Sequence, residues 1–153
     1  MKNRIVSKFI FILFFYIISL GIGYSEDFKF DVKEIEITNN GNLYKGISRG
    51  VIEIDNQIII SADTFVYNKI TNIVQADGNV KIEDQLNKYI AYSETATYQR
   101  NEEIIFTDGN SKVLDGENRE ITADKITYSK IPNTFQADGN VKIEDQLNKY
   151  IAY

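Results

Sequence analysis

Beyond residue 26 the chain alternates polarity in short runs. "VKIE" (Val80 to Glu83), "IIFT" (Ile104 to Thr107) and "ITADKITY" (Ile121 to Tyr128) are built from Ile, Val, Thr, Tyr and Phe interleaved with polar residues. Between the runs stand Asn, Asp and Gly: "NNGN" at Asn39 to Asn42, "ADGN" at Ala76 to Asn79 and again at Ala137 to Asn140, "DGEN" at Asp115 to Asn118. A period of two bounded by such residues predicts strands and turns, and no apolar stripe of period 3.6 is present. The chain is therefore expected to be all-β.

The pattern also repeats. "QADGNVKIEDQLNKYIAY" fills Gln75 to Tyr92 and returns unchanged at Gln136 to Tyr153. At the same offset of 61 the likeness extends upstream, placing Ala62, Asp63, Tyr67 and Asn72 over Ala123, Asp124, Tyr128 and Asn133. A worn copy lies between, with Glu94 under Asp63, Tyr98 under Tyr67 and Asp108 to Asn110 under Asp77 to Asn79. The period is thus about 30 residues, and "RGVIEID" (Arg49 to Asp55) reads as a still weaker copy. Identity over eighteen residues exceeds what packing requires, and reads as a recent duplication or an artefact of sequence reconstruction.

Within a unit the alternation slips one register after Ala-Asp: Ile121 and Ala123 share one parity, Ile126 and Tyr128 the other. A bulge there keeps both sets on one face. "FKFDVKEIEI" (Phe28 to Ile37) slips similarly between Val32 and Ile35, and the single proline, Pro132, suits a turn between strands. Strand pairs of this kind cannot bury a face alone, so successive units are expected to stack into one curled antiparallel sheet with an apolar interior.

The first 25 residues stand apart. Lys2, Arg4 and Lys8 precede an uncharged run of 15 residues, Phe9 to Gly23, and small residues at Gly23 and Ser25 come just before Glu26. This is the pattern of a cleaved signal peptide over 1–25, with a domain over 26–153; the run is short for a membrane-spanning helix. The sequence stops at Tyr153 part-way through a unit, so the domain is expected to be incomplete at that end.

All 22 acidic residues but only 14 of the 17 basic ones follow residue 25, a formal charge of −8. Such a balance excludes a nucleic-acid partner, which requires clustered Lys and Arg. There is no His and no Cys. The usual general base, thiol nucleophile and soft metal ligands are thereby missing. Two of Asp63, Glu94 and Asp124 could be imagined as an acid–base pair, but a carboxylate that recurs in every unit is expected to serve the turn or bulge of every unit. The "ADGN" stretches lack the ligand spacing of a calcium loop, and turn chemistry accounts for Asp77-Gly78 and Asp138-Gly139. No catalytic residue, cofactor or metal is expected.

Ala62, Asp63, Tyr67, Gly78, Asn79 and Val80, repeated as Ala123, Asp124, Tyr128, Gly139, Asn140 and Val141, carry a resemblance. From about Phe28 onward the chain resembles the OstA-like lipopolysaccharide transport family, which includes the periplasmic protein LptA and the N-terminal periplasmic domain of LptD. The resemblance implies a curled β-jellyroll, a location in the periplasm or at the outer membrane, an apolar interior sheltering the acyl chains of lipid A, and partner jellyrolls or further copies joined through edge strands. Phe65, Tyr67, Val80, Ile82, Ile104, Phe106, Ile126, Tyr128, Val141 and Ile143 would then line that interior. Two readings of these residues stay open: a lipid lining, or an ordinary core. A leading fragment of LptD, a structural or surface β-repeat without lipid, and, least supported, a periplasmic enzyme are the alternatives.

Overall fold

The computed structural model describes residues 28–116 and 119–145, together with the backbone of 150–152. The expected signal peptide lies outside the described residues. One turn of 3-10 helix (Asn39–Gly41) apart, the regular structure is β: β1 (Lys29–Asp31), β2 (Ile35–Thr38), β3 (Leu43–Gly46), β4 (Gly50–Ile54), β5 (Ile58–Ala62), β6 (Thr64–Asn68), β7 (Ile73–Asp84), β8 (Tyr89–Gln99), β9 (Ile104–Leu114), β10 (Arg119–Ser129), β11 (Thr134–Asp138), β12 (Lys142–Asp145) and β13 (Tyr150–Ala152). All pairings are antiparallel and join one sheet, as the alternation predicted.

The sheet is folded into two layers. β7, β8, β9 and β10 are long enough to run through both, and each half of β7 takes a different partner before it. Residues Ile58 to Ser61 of β5 pair with Lys81 to Asp84, whereas β6 pairs with Ile73 to Asp77. β10 is divided likewise between β12 and β11. The first layer follows the order β1-β4-β5-β7-β8-β9-β10-β12-β13; the second runs through β2, β3, β6, the other halves of the long strands, and β11.

The crease between the layers falls on the repeated motif. Gly78 and Asn79 have φ of 78° and 49°, Gly109 and Asn110 83° and 49°, Gly139 and Asn140 75° and 52°. Two successive left-handed residues kink a strand and insert an extra residue without reversing it. The register shifts between Asp77 and Val80, between Tyr92 and Thr95, and between Ala123 and Lys125. The slip after Ala-Asp is thus a bulge, as expected. The glycine-rich "ADGN" segments, by contrast, do not turn the chain between strands; they bend it. Chain reversal is left to less obvious sequences, where Asn72, Lys88, Glu103 and Asn133 take φ of 50–60°.

At each crease a carboxylate from the preceding strand meets the bend. The Asn79 amide donates to Asp63 Oδ2 at 2.6 Å, that of Asn110 to Glu94 Oε1 at 2.8 Å, and that of Asn140 to both oxygens of Asp124 at 3.1 and 3.0 Å. The Asp63 backbone N–H donates to the carbonyls of Asp77 and Gly78, and that of Asp124 to Gly139. Glycine is required here twice over, because a Cβ on Gly78 would sit 2.6 Å from Asp63 Oδ2. The recurring acid therefore builds the crease, in line with the reading made from its recurrence.

Candidate functional site

Inside the fold two ladders of side chains face each other. Phe30, Ile52, Ile60, Ile82, Ala91, Val113, Ile121 and Ile143 are directly paired across the first layer. Tyr44, Tyr67, Val74, Tyr98, Ile105, Tyr128 and Phe135 are paired across the second. Directly opposed residues share a face, so each ladder is a continuous apolar band. Near β1, Tyr67 packs against Phe28, Phe30 and Tyr44, with ring centroids 4.1 to 5.9 Å apart. Near β11, its repeat counterpart Tyr128 packs against Tyr89 and Phe135 at 5.4 and 4.5 Å.

Phe65, Tyr67, Val80, Ile82, Ile126 and Tyr128 are buried in this interior. Val141 is half-buried against Val113, Ala123 and Ile126. Ile143 belongs to the same inner ladder but is 38% exposed, whereas Ile82, at the matching place in the identical segment, is 3% exposed. Ile104 and Phe106 are on the other face and are corrected: Phe106 lies opposite Thr97 and Thr127, and Ile105 and Thr107 are buried in their stead. "IIFT" offers two apolar phases, and the repeat contains the signal that separates them, since Ile105 aligns with Val74 and Phe135. Tyr98 and Val74, both buried, complete the band and were missed.

A cleft of about 360 Å³ lies along β6, β7 and β8 among Phe65, Ala76, Ala96 and their neighbours, half polar in its lining, whereas the space further along between the ladders is small. A cavity of about 20 Å³ lies among Ile82, Asp84, Tyr89, Val113, Ile126 and Tyr128, room for about one water molecule. Both ends are less closed: Ile35 and Ile37 on β2 are 40% and 53% exposed, and Ile143 is exposed at the far end. Among the described residues, β2 pairs only with β3, and β11 only with β10. Unpaired backbone on these edges can accept a further strand.

Opposite the crease, the hairpin ends of the layers are tied by polar groups. Arg100, in the turn after β8, meets Asp55, in the turn after β4, at 2.6 Å, and both side chains are more than four-fifths buried. Asp84 is 4% exposed. Its Oδ1 accepts the backbone N–H groups of Leu86 and Asn87, while Oδ2 accepts the Asn87 amide at 2.9 Å and the Tyr128 hydroxyl at 3.2 Å. Burial, with the nearby Asp84 carboxylate, holds the Tyr128 phenol well above its usual pKa.

A motif repeats here too. The Tyr67 hydroxyl donates to Asn72 Oδ1 at 3.2 Å, and Tyr128 reaches Asn133 Oδ1 at the same distance. In the middle unit the corresponding pair is Tyr98 and Glu103. Glu103 pairs with Lys130 at 3.6 Å, and the Tyr98 hydroxyl is buried without a partner. Burial, with Asp55 and Glu103 adding, pushes this phenol far up as well. Among the described residues, no group of three His, Cys, Asp or Glu side chains is placed to hold a metal ion, and no helix is long and apolar enough to cross a membrane.

A two-layered, creased sheet of this kind has a solved counterpart. The structure is similar to the crystal structure of LptH, the LptA homologous periplasmic component of the conserved lipopolysaccharide transport device from Pseudomonas aeruginosa, with a TM-score of 0.73 over 79% of this chain and 96% of that one. The chain has an LptA-like fold. Sequence identity to LptH is 14%. No protein-family model matches the sequence, and no curated protein matches it. In the LptA-like fold the crease, the two apolar ladders and the open edge strands come together in one sheet, so the expected β-jellyroll is the architecture observed.

Proposed function

We propose that the chain is a periplasmic component of lipopolysaccharide transport that shelters lipid A acyl chains between its two layers and joins partner jellyrolls, or further copies, edge to edge. The observation that carries this reading is the continuous apolar interior of an LptA-like fold, least closed at its two ends around Ile35, Ile37 and Ile143. Each methylene moved from water into such an interior contributes about 0.8 kcal/mol. An acyl chain lying along the ladders is therefore held without any charged contact. Lipid-lining residues are Phe65, Tyr67, Val80, Ile82, Ile126, Tyr128, Val141 and Ile143 from the sequence pattern, joined by Ile105 and Phe135. The unpaired sides of β2 and β11 are the proposed joints.

One observation favours a second reading, a structural β-repeat with a dry core: a cavity of about 20 Å³ holds no acyl chain as it stands. On the carrier reading the layers part when lipid enters. The readings are separated by expressing the full chain in a host that carries lipopolysaccharide in its outer membrane, purifying it gently, and seeking lipid A by mass spectrometry. Stoichiometric lipid A supports the carrier, and its absence from folded protein supports the dry repeat.

A further inference from the structure

The two layers have one margin that cannot open and one that can. Along the crease the long strands pass covalently from layer to layer. Along the opposite margin, among the described residues, only side chains cross. Asp55 and Arg100, 45 residues apart, form one tie; Asp84, Asn87 and Tyr128 form the other, with 44 residues between Asp84 and Tyr128. The hydroxyl of Tyr98, on β8 two residues before Arg100, is buried without a partner. Beside the second tie lies the small cavity, bounded by Asp84, Tyr89, Tyr128 and Phe135 and, Thr107 apart, otherwise by apolar side chains.

Buried polar contacts suit a margin that opens and closes. A dry seam of leucines would be held by area alone, whereas ion pairs and phenol–carboxylate bonds can exchange for water when the layers separate. An unsatisfied hydroxyl inside the closed seam biases the balance the same way, because water satisfies it on opening. The acyl interior begins immediately inside.

We propose that this seam is a lateral portal: acyl chains enter sideways between the hairpin ends, and the Asp55–Arg100 and Asp84–Tyr128 ties are the latches that must part. The inference rests on the acyl-carrier reading and adds the route. Entry from the side lets a chain seat along its whole length at once, with its polar end left at the margin beside Tyr98 and Arg100.

The chain has no cysteine, so a pair introduced as Asp55→Cys and Arg100→Cys can be bridged with a bis-maleimide reagent that has a cleavable link. The probe is a polyene fatty acid that fluoresces only in dry surroundings. Bridging is expected to slow its uptake on the order of tenfold or more, and cleaving the link to restore it. A control bridge within the second layer, Thr97→Cys with Phe106→Cys, should leave the rate unchanged. Equal rates for the Asp55–Arg100 variant bridged and cleaved would overturn the portal and leave the carrier standing, whereas no uptake even by the unaltered chain would overturn both. Should the double variant fail to fold by circular dichroism, Asp55→Asn weakens one tie at constant volume. Faster uptake by it supports the portal, and an unchanged rate counts against it.

Discussion

The Asn79 amide donates to the Asp63 carboxylate at 2.6 Å, joining the bend of one strand to the strand before it. This bond, and after it the Arg49 guanidinium 2.8 Å away, holds the Asp63 carboxyl below its usual pKa. A lowered pKa means that the contribution to stability is complete above the unfolded value of 3.8 and is lost as pH falls through the lower, folded one. Asp63→Asn should therefore flatten the acid side of the stability curve. Thermal midpoints recorded from pH about 5 down to about 2 would check this; a parent and variant falling in parallel would remove Asp63 from the account.

Gly78 shares that crease. Alanine there must adopt a φ of 78° and place its Cβ 2.6 Å from the Asp63 carboxylate. Gly78→Ala is expected to destabilise the fold by clearly more than Gly41→Ala in urea titration: both alanines must hold a positive φ, at about 1 kcal/mol or more, but only at Gly78 does the Cβ also collide, since at Gly41 it meets nothing.

Two tyrosines at matching positions of the repeat should respond with opposite signs. Tyr98→Phe deletes an unpartnered buried hydroxyl and is expected to gain about 1 kcal/mol, while Tyr128→Phe strips Asp84 of a donor and should cost about 1–3 kcal/mol. Alkali gives a second readout. Both phenols titrate above the unfolded value of 10.0, so their contribution is intact below that pH and declines as pH rises beyond it, the unfolded chain releasing protons first. Midpoints measured between pH about 9 and about 11 should drop less in either variant than in the parent.

The period of about 30 residues, the strands, the bulge after Ala-Asp and the structural duty of Asp63, Glu94 and Asp124 could all be read from the chain, because each rests on spacing that the repeat displays several times. The phase of β9 could not be read from "IIFT" alone, since Ile104, Ile105 and Phe106 present apolar groups in both registers and only alignment with Val74 and Phe135 breaks the tie. The bend at Gly78-Asn79 resembled a turn, because both need positive φ; what distinguishes them is the partner carboxylate on a neighbouring strand. The Asp55–Arg100 and Asp84–Tyr128 ties were illegible for another reason. They join residues 45 and 44 positions apart across two layers, and no local pattern encodes that meeting.

The duplicated segment supplies a matched comparison of burial. Ile82 and Ile143 have identical sequence neighbours, yet the first is 3% and the second 38% exposed. Ile82→Ala is expected to cost about 2–5 kcal/mol, and Ile143→Ala less than about 1.5 kcal/mol. Chemical denaturation of the two variants reads the difference directly; equal losses would mean that the far end is closed in solution.

The central claim, that acyl chains lie between the layers, is tested most directly by a pair of phenylalanines on opposite faces. Phe135 is half-buried on the inner ladder, and Phe106 is 37% exposed on the outer face. Each is replaced in turn by a photoreactive benzoyl-phenylalanine in the full chain, in cells that make lipopolysaccharide, and irradiated. The account predicts a lipopolysaccharide adduct from position 135 and none from 106. Adducts from both positions alike, or from 106 alone, would contradict it.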